Sequence, residues 1–316
     1  MTDNTFETAA NFLPCARYHV IHETEYSYQS PVTLSQQYLH LSPRSFRYQQ
    51  VESELISIIP GEEDCLIGVD YFGNNTRHVG ITIPHRDLAV LSEFTVALAS
   101  RPGLQTLAAA LPWELVRDTI LQSKHRATQQ ACGFLQPSPH VSCSTQLRDY
   151  ASLSYTPGRP HLEAALDLTQ RIFNDFEFDD QATDISTPLD AVFTGRRGVC
   201  QDFAHLMTGC IRSLGLPVRY VSGYILTHPP EGQPRLIGAD ASHAWVSVYC
   251  PTLGWVDFDP TNRCLVQNEH ITLAIGRDFS DVTPMRGIVL GGGEQELQVR
   301  VTVTPLPLLS ATTSST

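Results

Sequence analysis

Residues 197–210 read Arg-Gly-Val-Cys-Gln-Asp-Phe-Ala-His-Leu-Met-Thr-Gly-Cys, and the fold turns on this stretch. Phe203, Leu206, Met207, Cys210, Ile211 and Leu214 recur at i, i+3, i+4, the stripe of a helix with a buried face, and Gly215 and Pro217 stop it. Cys200 opens that helix. Gly198, just before it, lets the backbone turn sharply or approach closely. A thiol with its ordinary pKa of about 8.5 is mostly protonated at neutral pH, and a helix N-terminus or a nearby imidazolium favours the thiolate. The position therefore suits a nucleophile, with N–H groups of the first turn placed to serve as an oxyanion hole. The bland alternative is a buried core thiol, and Cys210, deeper in the stripe, keeps that reading. Gln201 and Asp202, in the first turn, suit capping or oxyanion stabilisation, and His205 suits a hydrogen-bonded structural role.

Outward on the C-terminal side, 218–225, 243–250 and 255–259 alternate like strands, the last stopped by Pro260. A helix followed by antiparallel strands is an α+β arrangement. A thiol nucleophile needs a base held by a third group, and His243 begins a strand beside Trp245. Asp259 lies sixteen residues on. If the two face each other across a hairpin, Tyr249 opposes Leu253, the tip falls at Pro251, and both side chains share one face. His243 Nδ1–H then donates to the carboxylate while Nε2 faces the thiol. Asp257 shares that face and is the rival for the orienting role; the Asp-Pro-Thr context favours Asp259. Trp245 and Trp255 read as core or cleft walls, Trp245 being the candidate substrate contact and Gln201 the candidate oxyanion side chain.

On the N-terminal side, Tyr18, Val20, His22, Thr24 and Tyr26 alternate, and strand-like runs follow at 33–41, 51–59, 66–72, 79–83 and 88–98. Pro, Gly and Asn separate them, as in an antiparallel β-sandwich. Residues 107–121 read as helix, with Pro112 near a second start, 136–160 as a Pro- and Ser-rich loop, and 161–173 as helix. The expected organisation is a β domain at 1–100, a helical linker region at 101–160, a catalytic core at 161–305 closed by a strand at 297–303, and a disordered tail at 306–316. The Gly291-Gly292-Gly293 run precedes a strand and lacks a following Lys-Ser or Lys-Thr, so it is no nucleotide loop.

Composition narrows the function. Twenty-one Lys and Arg stand against 33 Asp and Glu, a net charge of −12, which argues against nucleic acid or an anionic membrane as partner. No apolar run approaches the roughly 18 residues of a membrane span. With Asp3 and Glu7 in place of a basic signal-peptide segment, the expected location is cytoplasmic. The eight cysteines show no CxxC pair, so neither a metal nor a cofactor is expected. Asn74-Asn75-Thr76 matches a glycosylation acceptor but suits a hairpin turn beginning at Gly73.

Gly198-Val199-Cys200, the run 215–224 (Gly-Leu-Pro-Val-Arg-Tyr-Val-Ser-Gly-Tyr), His243-Ala244-Trp245-Val246 and the run 254–261 (Gly-Trp-Val-Asp-Phe-Asp-Pro-Thr) together resemble the transglutaminase-like, papain-related core. The order Cys, His, Asp fits, and the 18–98 region is similar to the β domain that precedes this core in a bacterial subfamily. The resemblance implies a papain-like α+β core in which an amide substrate acylates Cys200, His243 shuttles the proton and Asp259 fixes the imidazole. It implies a peptide or protein substrate. An Asp-rich calcium loop is absent from the sequence, so calcium dependence is not expected. Two readings of different classes follow: a cysteine protease or amidase, with a cross-linking transglutaminase as its variant, and a non-catalytic binding protein that retains the core.

Overall fold

The computed structural model describes residues 12–227 and 242–308. The signal-peptide reading at the extreme N-terminus, Asp240 and Ala241 beside His243, and the tail from 309 onward lie outside the described residues.

The N-terminal region builds five strands: β1 (Pro14–Leu39), β2 (Gln49–Ile59), β3 (Asp64–Val69), β4 (Asn75–Ile81) and β5 (His85–Ala99). The segment at 33–41 is the second half of β1, not a separate strand. The register of β1 shifts between Ser27 and Val32, where Pro31 sits, as a proline within a strand is tolerated only at an edge or a bulge. Up to Val32 β1 pairs with β5, and from Ser35 onward with β4. Tyr18 and Val20 from the first half share one core with Leu39, Val79 and Ile81 from the second. The sheet is therefore folded over on itself, and the sandwich comes from one continuous sheet.

Helices follow: α1 (Leu104–Leu107), α2 (Trp113–Gln122, with Pro112 at its N-cap), α3 (Arg126–Ala131), α4 (Thr145–Ser152) and α5 (His161–Asp175). The 136–160 region, expected as loop, contains α4; Ser144 Oγ accepts from Leu147 N at 3.2 Å and starts it. Leu107, Val116, Ile120 and Leu147 lie in the same core as Leu206 and Met207, so the packing puts no boundary at 160.

The core continues through β6 (Glu177–Phe178), α6 (Leu189–Gly195), β7 (Arg197–Gly198) and α7 (Cys200–Ser213). Every α7 residue from Asp202 to Ser213 is buried. Two of its polar members are anchored through the core: Arg212 Nη2 donates to the Val218 and Arg277 carbonyls, and His205 Nε2 accepts from Phe279 N at 3.1 Å. Helix α7 packs on a sheet of β8 (Val218–Ile225), β9 (Ser242–Cys250), β10 (Gly254–Asp259), β11 (Cys264–Leu265) and β12 (His270–Gly276), in the order β11-β10-β9-β8-β12. Its two edge strands are joined by residues 266–269 alone. So short a link spans roughly 17 Å at most, so the sheet is curled, and the hollow of the curl holds Val221, Trp245, Val266 and Ile275.

The last strands, β13 (Met285–Gly291) and β14 (Gln295–Leu306), depart from the expected order. They flank β1, β14 along its first half and β13 along its second. The closing strand completes the N-terminal sheet, not the catalytic core: Val301 and Val303 fall on the face that meets Tyr18 and Val20.

Candidate active site

Cys200 stands at the first position of α7 because the preceding turn is locked. Asp202 Oδ2 accepts from Val199 N at 2.8 Å and from Thr183 Oγ1 at 2.6 Å. A Cβ on Gly198 would stand 2.6 Å from that same carboxylate oxygen, so the residue must be glycine for the cap to close. Asp202 is thus a capping residue, turned toward the backbone of Val199. Gln201, half-buried beside it, is not among the residues lining the cleft that contains Cys200.

His243 reaches Cys200 from the start of β9, and its imidazole is in hydrogen-bonding contact with the thiol side chain. On its other side, Nε2 lies 2.7 Å from Asp259 Oδ2. The expected use of the ring is therefore reversed: Nε2–H serves the carboxylate, and Nδ1 is left for the thiol. The hairpin register differs too. Trp255, not Leu253, pairs with Tyr249, and Gly254 pairs with Cys250, so Asp259 projects diagonally toward His243. A shift of two residues preserves the face, which is why both side chains still meet.

Asp259, fully buried, is held by five hydrogen bonds. Oδ1 accepts from the backbone N–H groups of Thr261 (2.9 Å) and Asn262 (3.1 Å). Oδ2 accepts from His243 Nε2, from Asn262 Nδ2 (2.7 Å) and from His270 Nε2 (2.9 Å). Burial alone would raise the carboxyl pKa, but bonds to His243 and His270 overcome it and hold the group well below the usual carboxylate range. Burial likewise opposes charge on His243; the Asp259 bond, and then the contact with Cys200, win and raise it to about 10. His270 moves the other way, lowered chiefly by burial; its buried Nδ1 has no partner, so a charged ring would bury an N–H donor without an acceptor. The three side chains His243, Asp259 and His270 could also hold a cation, since their ligand atoms lie within 4.8 Å of one another. With both rings donating to one carboxylate oxygen, a cation would have to displace those protons.

Asp257, the rival orienter, shares the face of Asp259 on β10 but pairs with Arg101 instead of with an imidazole. Trp245 is not a cleft wall. It is fully buried behind His243, its ring 6.0 Å from His243 and 5.2 Å from His270, with Nε1 3.4 Å from Asp257 Oδ2. Gly223 makes room for it, since a Cβ there would stand 2.6 Å from the indole. The cleft, about 480 Å³, is lined by Cys200, His243, His270, Asn262 and Leu226, and Phe178 is its one Phe, Tyr or Trp among the described residues.

Sequence reasoning missed Asn262 and His270. Asn262 was within reach, because an Asp followed two and three residues on by free N–H groups is a turn signature. No local signal marks His270, whose partner is eleven residues away and two strands distant.

Residues 150–260 match the Transglutaminase-like superfamily, and residues 18–97 match the Bacterial transglutaminase-like N-terminal region. An uncharacterized protein of Mycobacterium tuberculosis is 39% identical over 296 residues, covering 92% of this chain and 93% of its own. The chain belongs to the transglutaminase-like superfamily. Its fold agrees with that of a solved protein from Cytophaga hutchinsonii named "putative cysteine protease", at a TM-score of 0.73 and 20% identity over 94% of this chain and 92% of that one. A protein-glutamine gamma-glutamyltransferase of Pseudomonas aeruginosa is 37% identical over 73 residues, 23% of this chain and 11% of its own length. In this transglutaminase-like chain the geometry gathers a thiol, an imidazole and a carboxylate at Cys200, His243 and Asp259.

Proposed function

We propose that this chain is a cysteine-dependent amidase or protease that acts on a peptide or protein through a Cys200 thioester. The observation that carries the reading is the 2.7 Å bond from His243 to a fully buried Asp259, with the imidazole in contact with Cys200 at the mouth of a cleft. His243 takes the thiol proton, and the sulfur attacks the amide carbonyl. The carbonyl oxygen gathers negative charge near the N-terminus of α7, whose first N–H groups have no intrahelical partner. Imidazolium then protonates the departing amine, leaving a thioester. In the second half, His243 takes a proton from water, hydroxide adds, and the acid leaves as the thiol is restored.

Hydrolysis is favoured over transfer to an amine because an amine must outcompete water at about 55 M, which takes an enclosing, amine-binding wall. Trp245, Tyr249, Trp255 and Phe258 do not line the cleft, which supports water as acceptor. A cytoplasmic location, expected from the sequence, is also consistent with eight free thiols, and cell fractionation tests it. Among the described residues, no helix is long and apolar enough to cross a membrane.

The deciding experiment supplies a glutamine-containing peptide with a labelled primary amine at millimolar concentration and no calcium, and compares free acid with amine adduct by mass spectrometry. Acid is expected to dominate, and Cys200→Ala to yield neither product. Adduct in large excess would make the chain a cross-linking transglutaminase; turnover by Cys200→Ala would remove the nucleophile assignment.

A further inference from the structure

A second cavity, about 240 Å³, lies where the N-terminal sheet meets the concave face of the core, and shares no lining residue with the catalytic cleft. Four arginines line it: Arg44 and Arg47 from the loop after β1, Arg101 from just beyond β5, and Arg219 from β8. Among the described residues Asp257 is the one carboxylate on the lining, so these walls carry an excess of three positive charges. Globular proteins rarely gather unbalanced guanidinium groups in a half-buried hollow without a counter-charge.

The geometry of these groups favours an oxyanion. Aromatic rings take their faces: Arg219 stacks 4.3 Å from the Trp255 centroid, Arg47 lies 5.3 Å from that of Tyr48, and Arg101 lies 5.6 Å from both Phe46 and Tyr48. Stacking leaves the in-plane N–H edges free, and those edges match an oxyanion bidentately. Among the described residues, three buried polar atoms here have no hydrogen-bond partner: Arg101 Nη2, Arg219 Nε and Thr272 Oγ1. Arg101 spends its Nη1 on Asp257, and Arg44 spends its own on the Phe72 carbonyl and Asn74. Burial lowers the pKa of Arg219 to about 9 despite the nearby Asp257, with repulsion from Arg44 and Arg101 adding to it.

We propose that this pocket is a second ligand site, which binds a phosphoryl group at the junction of the β domain and the core. A dianion offsets two of the three excess charges, and its three terminal oxygens can accept from Arg101, Arg219 and Thr272 together; a carboxylate offers one charge and two oxygens. The volume leaves room for a small organic body on the phosphoryl group, against Trp255 and Tyr48.

The test uses Cys200→Ala protein, so that turnover plays no part, and measures binding of inorganic phosphate, acetate and adenosine monophosphate by titration calorimetry and melting. Phosphate is expected to bind one per chain and raise the melting midpoint, with acetate at least about tenfold weaker. Arg219→Gln should weaken phosphate about tenfold or more, and Arg47→Gln, at an exposed position, several-fold without altering the ligand-free melt. Adenosine monophosphate binding tighter than phosphate would show a phosphoryl group carried on a larger molecule; the reverse order would show free phosphate as the ligand. Absence of saturable phosphate binding, acetate as tight as phosphate, or full affinity in both arginine variants would overturn the proposal. Should Arg219→Gln not fold, Arg47→Gln decides alone.

Discussion

Asp259 does more than face an imidazole: its two oxygens accept from His243, His270, Asn262 and the Thr261 and Asn262 backbones, so its position is fixed before substrate arrives. Asp259→Asn should therefore fold and lose about 10² to 10⁴ in kcat, as when other triads lose their orienting carboxylate. Asp257→Asn, which breaks the Arg101 pair instead, should lower the melting point and leave kcat within about tenfold; a larger kcat loss there than at Asp259 would reverse the roles. The same bonds set a pH dependence. His243 is raised from 6.5 to about 10, so its contribution to stability is complete below pH 6.5 and disappears as pH rises through about 10. Asp259 is depressed, so its contribution is present above 3.8 and lost as pH falls. The melting-point gap between the wild type and Asp259→Asn should then be wide near pH 5 and narrow by pH 10. A gap that stays constant across that range would show that the ion pair is not its source. His270, neutral and donating to Asp259, is a positioning residue: His270→Ala should lower kcat by about tenfold with little change in KM, while His270→Gln, whose amide can still donate, should recover part of it.

At the scale of elements, the meeting of His243 with Asp259 and His270 depends on how closely β8, β9 and β12 approach one another. Gly223 pairs with His243 on one side and Thr272 on the other, and the Trp245 indole occupies the space a side chain would need. A methyl group there would also press on the Ile271 carbonyl, which is backbone and cannot swing aside. Gly223→Ala should cost about 3 kcal/mol or more, the upper end of overpacking, and displace Trp245 from behind His243. Denaturant unfolding measures the first, and the tryptophan emission maximum of the folded protein reports the second. A variant as stable as wild type would mean that the strands can separate without cost. The helix carrying Cys200 was legible from its stripe because period 3.6 is a local property. Helix α4 was not, since 145–152 offers only Leu147, Tyr150 and Ala151 as buried residues between turn-rich flanks, and their burial depends on neighbours far along the chain.

Across the whole molecule, the β domain closes the core at its exposed edge. Strand β12 has β8 on one side, and on the other two side-chain amides take the place of a neighbouring strand. Gln49 bonds to Thr272 N and O at 2.8 and 2.7 Å, and Asn74 to Ile275 N and O at 2.8 and 2.7 Å. An open strand edge is a liability for aggregation, and these amides cover it. Asn74, fully buried in this role, is unavailable to a glycan in the folded protein. Asn74→Ala leaves two buried backbone groups unpaired and should cost about 2 to 5 kcal/mol, read by chemical denaturation; a loss under 1 kcal/mol would show that water replaces the amide. From the sequence alone came the superfamily motifs, and with them the helix opening at Cys200 and the strands carrying His243 and Asp259, because those elements rest on short-range periodicity. Only the tertiary structure decided which ring nitrogen meets the carboxylate, that His270 joins it, that Trp245 lies behind the site, and that β13 and β14 return to flank β1. Those outcomes depend on strand register and on contacts between residues as much as 290 positions apart, where curling of the sheet and burial, not local pattern, select the partner.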